Sequence, residues 1–314
     1  MRIYTDKIST AENYITGKSR WREYLHKNLS PGISTLSEKL IAFGNVFVTD
    51  SDDDLPIDHF FVVTLANLSQ YDTLINAAKE DIDMPDKIFC LAEAGRNFHG
   101  LRKRPWAALE GNIHLSVYLK PGREIRNFGV GFIVLSAVSV VQTIDSIPGL
   151  RNRAGIKWVN DVVIDGAKAA GVLAHTQTID RTVKSAILGI GLNVEKKPDI
   201  ETSSFVKDST SICELVPDRS ICGREVVFRE LAKNLMRNYD ELLSGNYGKL
   251  LDIYRQRSVI IGKEVLIHAD SPDGNNDITA EGVVESIGDN LELYLEGRKK
   301  PVTSGRLAYT KDSS

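Results

Sequence analysis

Cysteine is scarce in this chain: three among 314 residues, at positions 90, 213 and 222. An odd number with no metal-like spacing reads as small core residues in a reducing compartment. A charge excess of one sign is also lacking. Lys and Arg total 39 against 42 Asp and Glu, a net charge of −3, so no global field draws the chain to nucleic acid. Apolar runs stay short, and the longest, residues 130–141, falls below the length of a bilayer-spanning helix. The N-terminus, MRIYTDKIST, has no apolar signal core. Neither GxxxxGK[ST] nor GxGxxG occurs, and there is no internal repeat or low-complexity tract. The expectation is a cytoplasmic protein with no membrane contact, and DNA is not an expected partner.

What remains is ordinary globular material, 42% hydrophobic and 26% charged, long enough for two or three domains. Residues 1–57 carry two short helical patterns, 11–26 and 35–42, and end in the acidic run 50–54, which reads as a solvated linker. From residue 58 the pattern sharpens. HFFVVTLA and KIFCLAEA read as buried strands, with a helix over 69–79 between them and Ser69 at its N-cap. NIHLSVYL alternates like a half-buried strand. FGVGFIVLSAVSVVQTID is apolar nearly all round, so a buried helix is expected. Three antiparallel strands follow, around 156–164, 169–176 and 183–194. Two helices come next, 224–243 and 249–257. After Gly262 the period switches to two, with turns at SPDGNND, GDN and GRKKP, which predicts a small β-barrel. The organisation predicted is an N-terminal segment 1–57, a domain 58–260 and a β-barrel domain 261–314. The class is α+β.

Three stretches could carry chemistry. In IKWVNDVVIDGAKAAGVLAH an amide, a carboxylate and an ammonium interrupt an apolar pattern. Lys168 either points to water from a hairpin turn or meets a bound phosphate or carboxylate, since a buried lysine needs an anion. Asn160-Asp161 is either a turn or a place where Asp161 helps hold Mg²⁺ beside a phosphate. GRNFHGLRKRPW, residues 95–106, combines two glycines, four cations and two aromatics. It is either a solvated basic loop or a loop that closes on an anion, with Trp106 offering an aromatic face. GIGLNV, residues 189–194, is either a sheet irregularity or a strand whose glycines let a ligand approach the backbone.

The order of these stretches is more specific than any one of them. An AGR loop ending in Trp106, then KWVNDVVIDGAKAAGVL, then GIGLNV, STSICEL, a helical pair and a barrel opening with GKEV: the series resembles biotin protein ligase over residues 58–309. The resemblance implies a class II aminoacyl-tRNA-synthetase-like fold, with a central mixed, mostly antiparallel sheet and a C-terminal SH3-like barrel. It implies activation of biotin by ATP and Mg²⁺, then transfer to a lysine of a biotin carboxyl carrier protein or carboxylase domain. A homodimer stays open. Lys168 and Arg96 match the catalytic cations. Ser69, Gln70, Gly95, Gly171, Val172, Gly189 and Gly191 match the biotin site. Trp106, Lys157, Asn160, Asp161, Asn193 and Arg306 match the ATP side, with Asp161 as the Mg²⁺ ligand. The chain departs from the pattern where Asn97-Phe98 replace Gly-Arg, Ala92 replaces Gln, Gln70-Tyr71 replace Thr-Asn, and Val159 replaces Pro. Three extra residues lengthen the loop, and Arg102 or Arg104 could stand in for the lost arginine. Two other readings stay open on these residues: ligation of another acid such as lipoate or octanoate, and a non-catalytic biotin or adenylate binder.

Overall fold

The computed structural model describes residues 1–17, 19–41, 45–200, 203–206, 208–269 and 277–310. The N-terminal part supplies β1 (Arg2–Thr5), α1 (Ile8–Ala11), β2 (Arg22–Tyr24), α2 (Pro31–Leu40) and β3 (Val46–Asp50). Then come β4 (His59–Ala66), α3 (Gln70–Lys79), β5 (Ile88–Gly95), β6 (Ile113–Leu119), β7 (Arg123–Glu124) and α4 (Phe128–Asp145). A run of strands follows: β8 (Ala154–Lys157), β9 (Asp161–Ile164), β10 (Ala167–Ile179) and β11 (Thr182–Leu192). Two helices, α5 (Arg224–Leu243) and α6 (Tyr247–Gln256), lead to β12 (Glu264–His268), β13 (Ile278–Ile287), β14 (Leu293–Leu295) and β15 (Arg306–Tyr309).

One sheet runs β2-β3-β1-β4-β5-β6-β11-β10-β9-β8, with β7 attached to β11. Only the β1–β4 and β4–β5 pairs are parallel, so the sheet is mixed and mostly antiparallel, as the α+β reading expects. One face packs against α4, α5 and α6, and the other against α2 and α3, each with its own apolar cluster. NIHLSVYL, expected to be half-buried, is buried along all of β6, because helices cover both faces.

α4 spans 18 residues, longer than its central apolar run, and by length and hydropathy (1.7) it could cross a membrane; two thirds of it (67%) is buried inside the protein. Its Ser136, Ser139 and Thr143 hydroxyls donate to carbonyls four residues back at 2.8, 2.7 and 2.7 Å. Asn234 and Asn238 of α5 then donate to Thr143 Oγ1 (3.1 Å) and Ser139 Oγ (2.8 Å). Each of these hydroxyls and amide NH2 groups therefore has a partner, which is what makes its burial tolerable.

Two expectations for residues 1–57 are corrected. A helix over 11–26 does not form: α1 stops at Ala11, Gly17 turns with φ +90°, and Arg22–Tyr24 pairs with β3 instead. The second helix is α2, starting earlier at Pro31; position 42 lies outside the described residues. Nor is the acidic run wholly solvated. The Asp53 side chain is fully buried; it accepts from Thr16 N and Oγ1 (3.0 Å each) and from Arg229 (2.6 Å). Burial alone would raise its carboxyl, but Arg229 and Thr16 outweigh that and hold it down to about 2. Strand pairing thus continues across residue 57, with β1 lying parallel to β4.

The C-terminal strands form a second sheet, β14-β13-β12-β15. It docks through Trp158 Nε1 donating to Leu291 O and Tyr247 OH to Asp289 O, both at 2.7 Å. The SPDGNND turn lies outside the described residues except Asp277. The cysteines need one correction. Cys213 and Cys222 are joined as a disulfide, their Cα atoms 5.7 Å apart, and Cys90 is free and buried. Their nine-residue separation matches no motif; it is the turn between β11 and α5 that brings them together.

Candidate active site

A cavity of about 310 Å³ opens on the α3 side of the sheet. Its floor is a row of register partners, one from each of four adjacent strands: His114, Gly191, Gly171 and Asp161. Partners in register share a face, so this row points one way. Gly191 and Gly171 follow His114 in that row, and above them lies Trp106. A Cβ at Gly191 would collide with the Trp106 indole, and one at Gly171 would sit 3.5 Å from it. Gly189, one pleat further along β11, leaves room for Tyr71 in the same way, at 3.0 Å. The GIG glycines therefore serve close approach, although in this structure it is aromatic rings of the chain that approach.

Lys168 stands where the floor meets the polar end. Its ammonium is 2.6 Å from Asp161 Oδ1 and 5.7 Å from the Trp106 ring centroid. The Lys168 and Asp161 side chains are both mostly buried, at 24% and 22% exposure. Of the two readings of Lys168, the solvated turn is excluded: the turn is Asp165-Gly166, and Lys168 lies in β10 at a register shift. Asn160 donates to Val172 O at 2.8 Å, fixing the bend between β8 and β9 against β10.

Beyond Lys168 the walls change character. Lys157 is buried and donates to Phe205 O, and Arg306 lies 3.5 Å over the Phe205 ring. Arg306 comes from β15, so the C-terminal sheet closes this end. Asn193, also on the lining, gives its amide to Thr210 O at 3.1 Å and so holds the STSICEL segment.

Most sequence-derived site residues meet here: Ser69, Trp106, Lys157, Asn160, Asp161, Lys168, Gly171, Val172, Gly189, Gly191, Asn193 and Arg306 all line the cavity. Three do not. Arg96 is exposed at the end of β5, so it does not share the lining with Lys168. Gly95 accommodates Phe98 of its own loop, whose ring a Cβ there would strike. Gln70 is 1% exposed with both carboxamide atoms lacking a hydrogen-bond partner, one residue from Ser69. Trp106, matched to the ATP side, instead covers the glycine floor. Of the two substitute arginines, Arg104 lines the cavity and Arg102 is exposed.

The loop is pinned from outside. His99 Nε2 lies 2.7 Å from Asp72 Oδ2, and Lys103 reaches both Asp72 oxygens at 3.1 Å. Burial would raise the Asp72 carboxyl, but His99 and Lys103 prevail and lower it. On the opposite face of β5, Glu93 is buried and accepts from Tyr14 OH (2.9 Å) and Arg224. Sequence reasoning missed His114, Tyr71, Phe98 and Phe205. His114 had one available signal: an imidazole in an otherwise apolar strand.

Residues 83–193 match the biotin/lipoate A/B protein ligase family. The bifunctional ligase/repressor BirA of Bacillus subtilis is 30% identical over 179 residues, covering 57% of this chain and 54% of that protein. The aligned part thus spans about half of that relative's length. The biotin–[acetyl-CoA-carboxylase] ligase of Mycobacterium tuberculosis is 30% identical over 265 residues, covering 80% of this chain and 88% of that one. Among solved structures, the Aquifex aeolicus biotin protein ligase in complex with biotin and ATP shares the fold. Its TM-score is 0.58 at 17% identity, over 80% of this chain and 98% of that one. The glycine row, the strand-borne lysine and the matching relatives agree: this chain belongs to the biotin protein ligase family.

Proposed function

We propose that the protein is an ATP-dependent biotin–protein ligase. The carboxylate oxygen of biotin attacks the α-phosphorus of ATP, and the bond to the leaving pyrophosphate breaks. A lysine amine of a carrier domain then attacks the acyl carbon, AMP leaves, and the amine gives up a proton to solvent. The observation that carries this reading is the position of Lys168. Its ammonium sits between an apolar, glycine-floored half and a cationic half with Lys157 and Arg306 on its walls. A carboxylate and a triphosphate repel, and a fixed ammonium at their junction offsets that most where charge builds up on the α-phosphate. The named ligase relatives, one aligned over 88% of its length, support the same reading.

Gln70 stands behind the acid-binding half: its buried, unpartnered carboxamide has a donor and an acceptor, and it reaches a ligand with matching groups only after the start of α3 shifts. Arg96 belongs to the reading as a cation that reaches the phosphate only after the loop moves. Arg104 already lines the cavity. For Mg²⁺ the fit is to a metal arriving with its nucleotide. Among the described lining residues Asp161 is the one carboxylate, and Mg²⁺ takes one or two carboxylates plus phosphate oxygens and water. Asp161 would hold the metal, which when bound neutralises phosphate charge. We place the protein in the cytoplasm, where reduction would open the Cys213–Cys222 bond. A free-thiol count on protein drawn directly from cells tests that, because it reads the state of Cys213 and Cys222.

The deciding assay incubates the protein with ATP, Mg²⁺, labelled biotin and a biotin carrier domain. Label on the carrier is the expected result. Labelling by lipoate or octanoate in place of biotin would assign another acid, and tight biotin binding without pyrophosphate release would make the protein a non-catalytic binder.

A further inference from the structure

His114 has no role in the chemistry above, yet it stands at one end of the floor row. It is 2% exposed and lies in register with Ala92 on one side and Gly191 on the other. Its Nε2 lies 3.0 Å from Leu109 O. A carbonyl can only accept, so Nε2 carries the proton and Nδ1 presents a lone pair. The Trp106 indole N–H can only donate, and it points at that Nδ1 from 3.4 Å. Phe98 sets its ring edge-on to the imidazole, 5.8 Å away at 82°. One side chain therefore grips the loop at positions 98, 106 and 109. Burial pushes the imidazole down to about 4, so the neutral form this grip needs is the one present at neutral pH.

The grip has a consequence for the site. Trp106 is laid across Gly191 and Gly171, and the Lys168 ammonium lies against its ring. We propose that His114 is a positioning residue acting through Trp106: it holds the indole as the apolar wall of the acid-binding half and thereby sets the approach of Lys168. This rests on the ligase reading for the identity of the acid, but the placement of the indole does not.

The test uses H114F, H114Q, W106F and the double variants of W106F with each, all in the full chain. Acrylamide quenching of tryptophan emission is read first, without ligand, with W106F identifying the Trp106 component. KM for biotin and kcat are then read from pyrophosphate release. H114F is expected to raise the quenchable fraction and to raise KM about tenfold, the size expected for losing such buried hydrogen bonds, with kcat far less affected. H114Q keeps a donor and an acceptor and restores most of both. In the W106F background neither change adds more than about twofold, because the partner is already gone. Unchanged quenching in H114F and H114Q overturns the proposal. So does a full additional rise in KM on top of W106F, which would mean that His114 acts on substrate directly. Should H114F not fold, H114L, which also lacks both hydrogen bonds, is compared with W106F/H114L in its place. A wild-type protein without biotin-dependent pyrophosphate release refutes the ligase reading, and the ligand-free quenching still decides the role of His114.

Discussion

The two walls of the cavity are held in different ways. The sheet wall, from His114 to Asp161, is a row of strand residues whose register fixes their spacing. The loop wall, residues 98–107, is held from outside by side chains: Asp72 to His99 and Lys103, and His114 to Trp106. Backbone pairing is local and redundant, so a single substitution in the sheet alters chemistry without moving the frame. The loop depends on a few side-chain bonds, so substitutions there shift where a wall stands. Lys168 belongs to the first wall, whereas Arg96 lies at the end of β5 just before the second, and that separates two cations with one expected task.

The contrast breaks most directly at Lys168. K168A is expected to slow adenylate formation by about 10²–10³, the usual cost of one fixed donor. Its stability loss should be on the order of 1 kcal/mol, from leaving Asp161 without its ion-pair partner. Rapid-quench kinetics and denaturant melts read the two separately; a rate within threefold of wild type counts against a fixed-cation role.

Next in size is the glycine floor. G191A drives a Cβ into the Trp106 indole. Overpacking of that kind costs about 1–3 kcal/mol, here felt mainly as a displaced indole because the strand cannot yield. KM for biotin should rise, and G191A combined with W106F should recover part of the loss. A double variant no better than G191A alone would show that the backbone, not the indole, needs the space.

Third comes pH. The folded-state value of His114, about 4, is below the ordinary 6.5. Between pH 6.5 and 4 the unfolded chain binds a proton that the folded one refuses, so stability falls as pH drops through that window. The slope is about 1.4 kcal/mol per pH unit, and it vanishes above about pH 7. Denaturant melts at pH 7 and pH 5 should show that loss in wild type and a smaller one in H114Q. Equal losses in both would mean that His114 is not buried neutral.

The smallest effect belongs to the outer pin. D72N weakens partly exposed contacts to His99 and Lys103 and should cost about 0.2–1 kcal/mol. Its mark is faster proteolysis within residues 96–105 while global melting hardly changes. Cleavage unaltered in D72N would show the loop to be held elsewhere.

Legibility followed the same division. α4 and α5 form over the residues their patterns marked, 128–145 and 224–243, because a helix periodicity is carried by its own neighbours. The KW-ND-K-AG and GIG-N residues converge as expected, since they sit in adjacent, mostly antiparallel strands joined by short links. Three features were not legible. β1 and β3 are four and five residues long, and β1 joins the sheet through a parallel partner more than fifty positions away, which no local pattern encodes. The place of Trp106 depends on the path of a loop three residues longer than the pattern it resembles and on a histidine in another strand. Asp53 looked solvated among acidic neighbours, yet it is the one whose side chain Arg229 and Thr16 bury; Asp54 beside it stays 69% exposed.

The central claim is that an ammonium fixed in the sheet joins the two substrates. ATP–pyrophosphate exchange measures that step without any carrier protein. Exchange should depend on biotin, be absent with lipoate or octanoate, and fall by about two to three orders of magnitude in K168A. Biotin-independent exchange, or K168A exchanging as fast as wild type, would contradict the account.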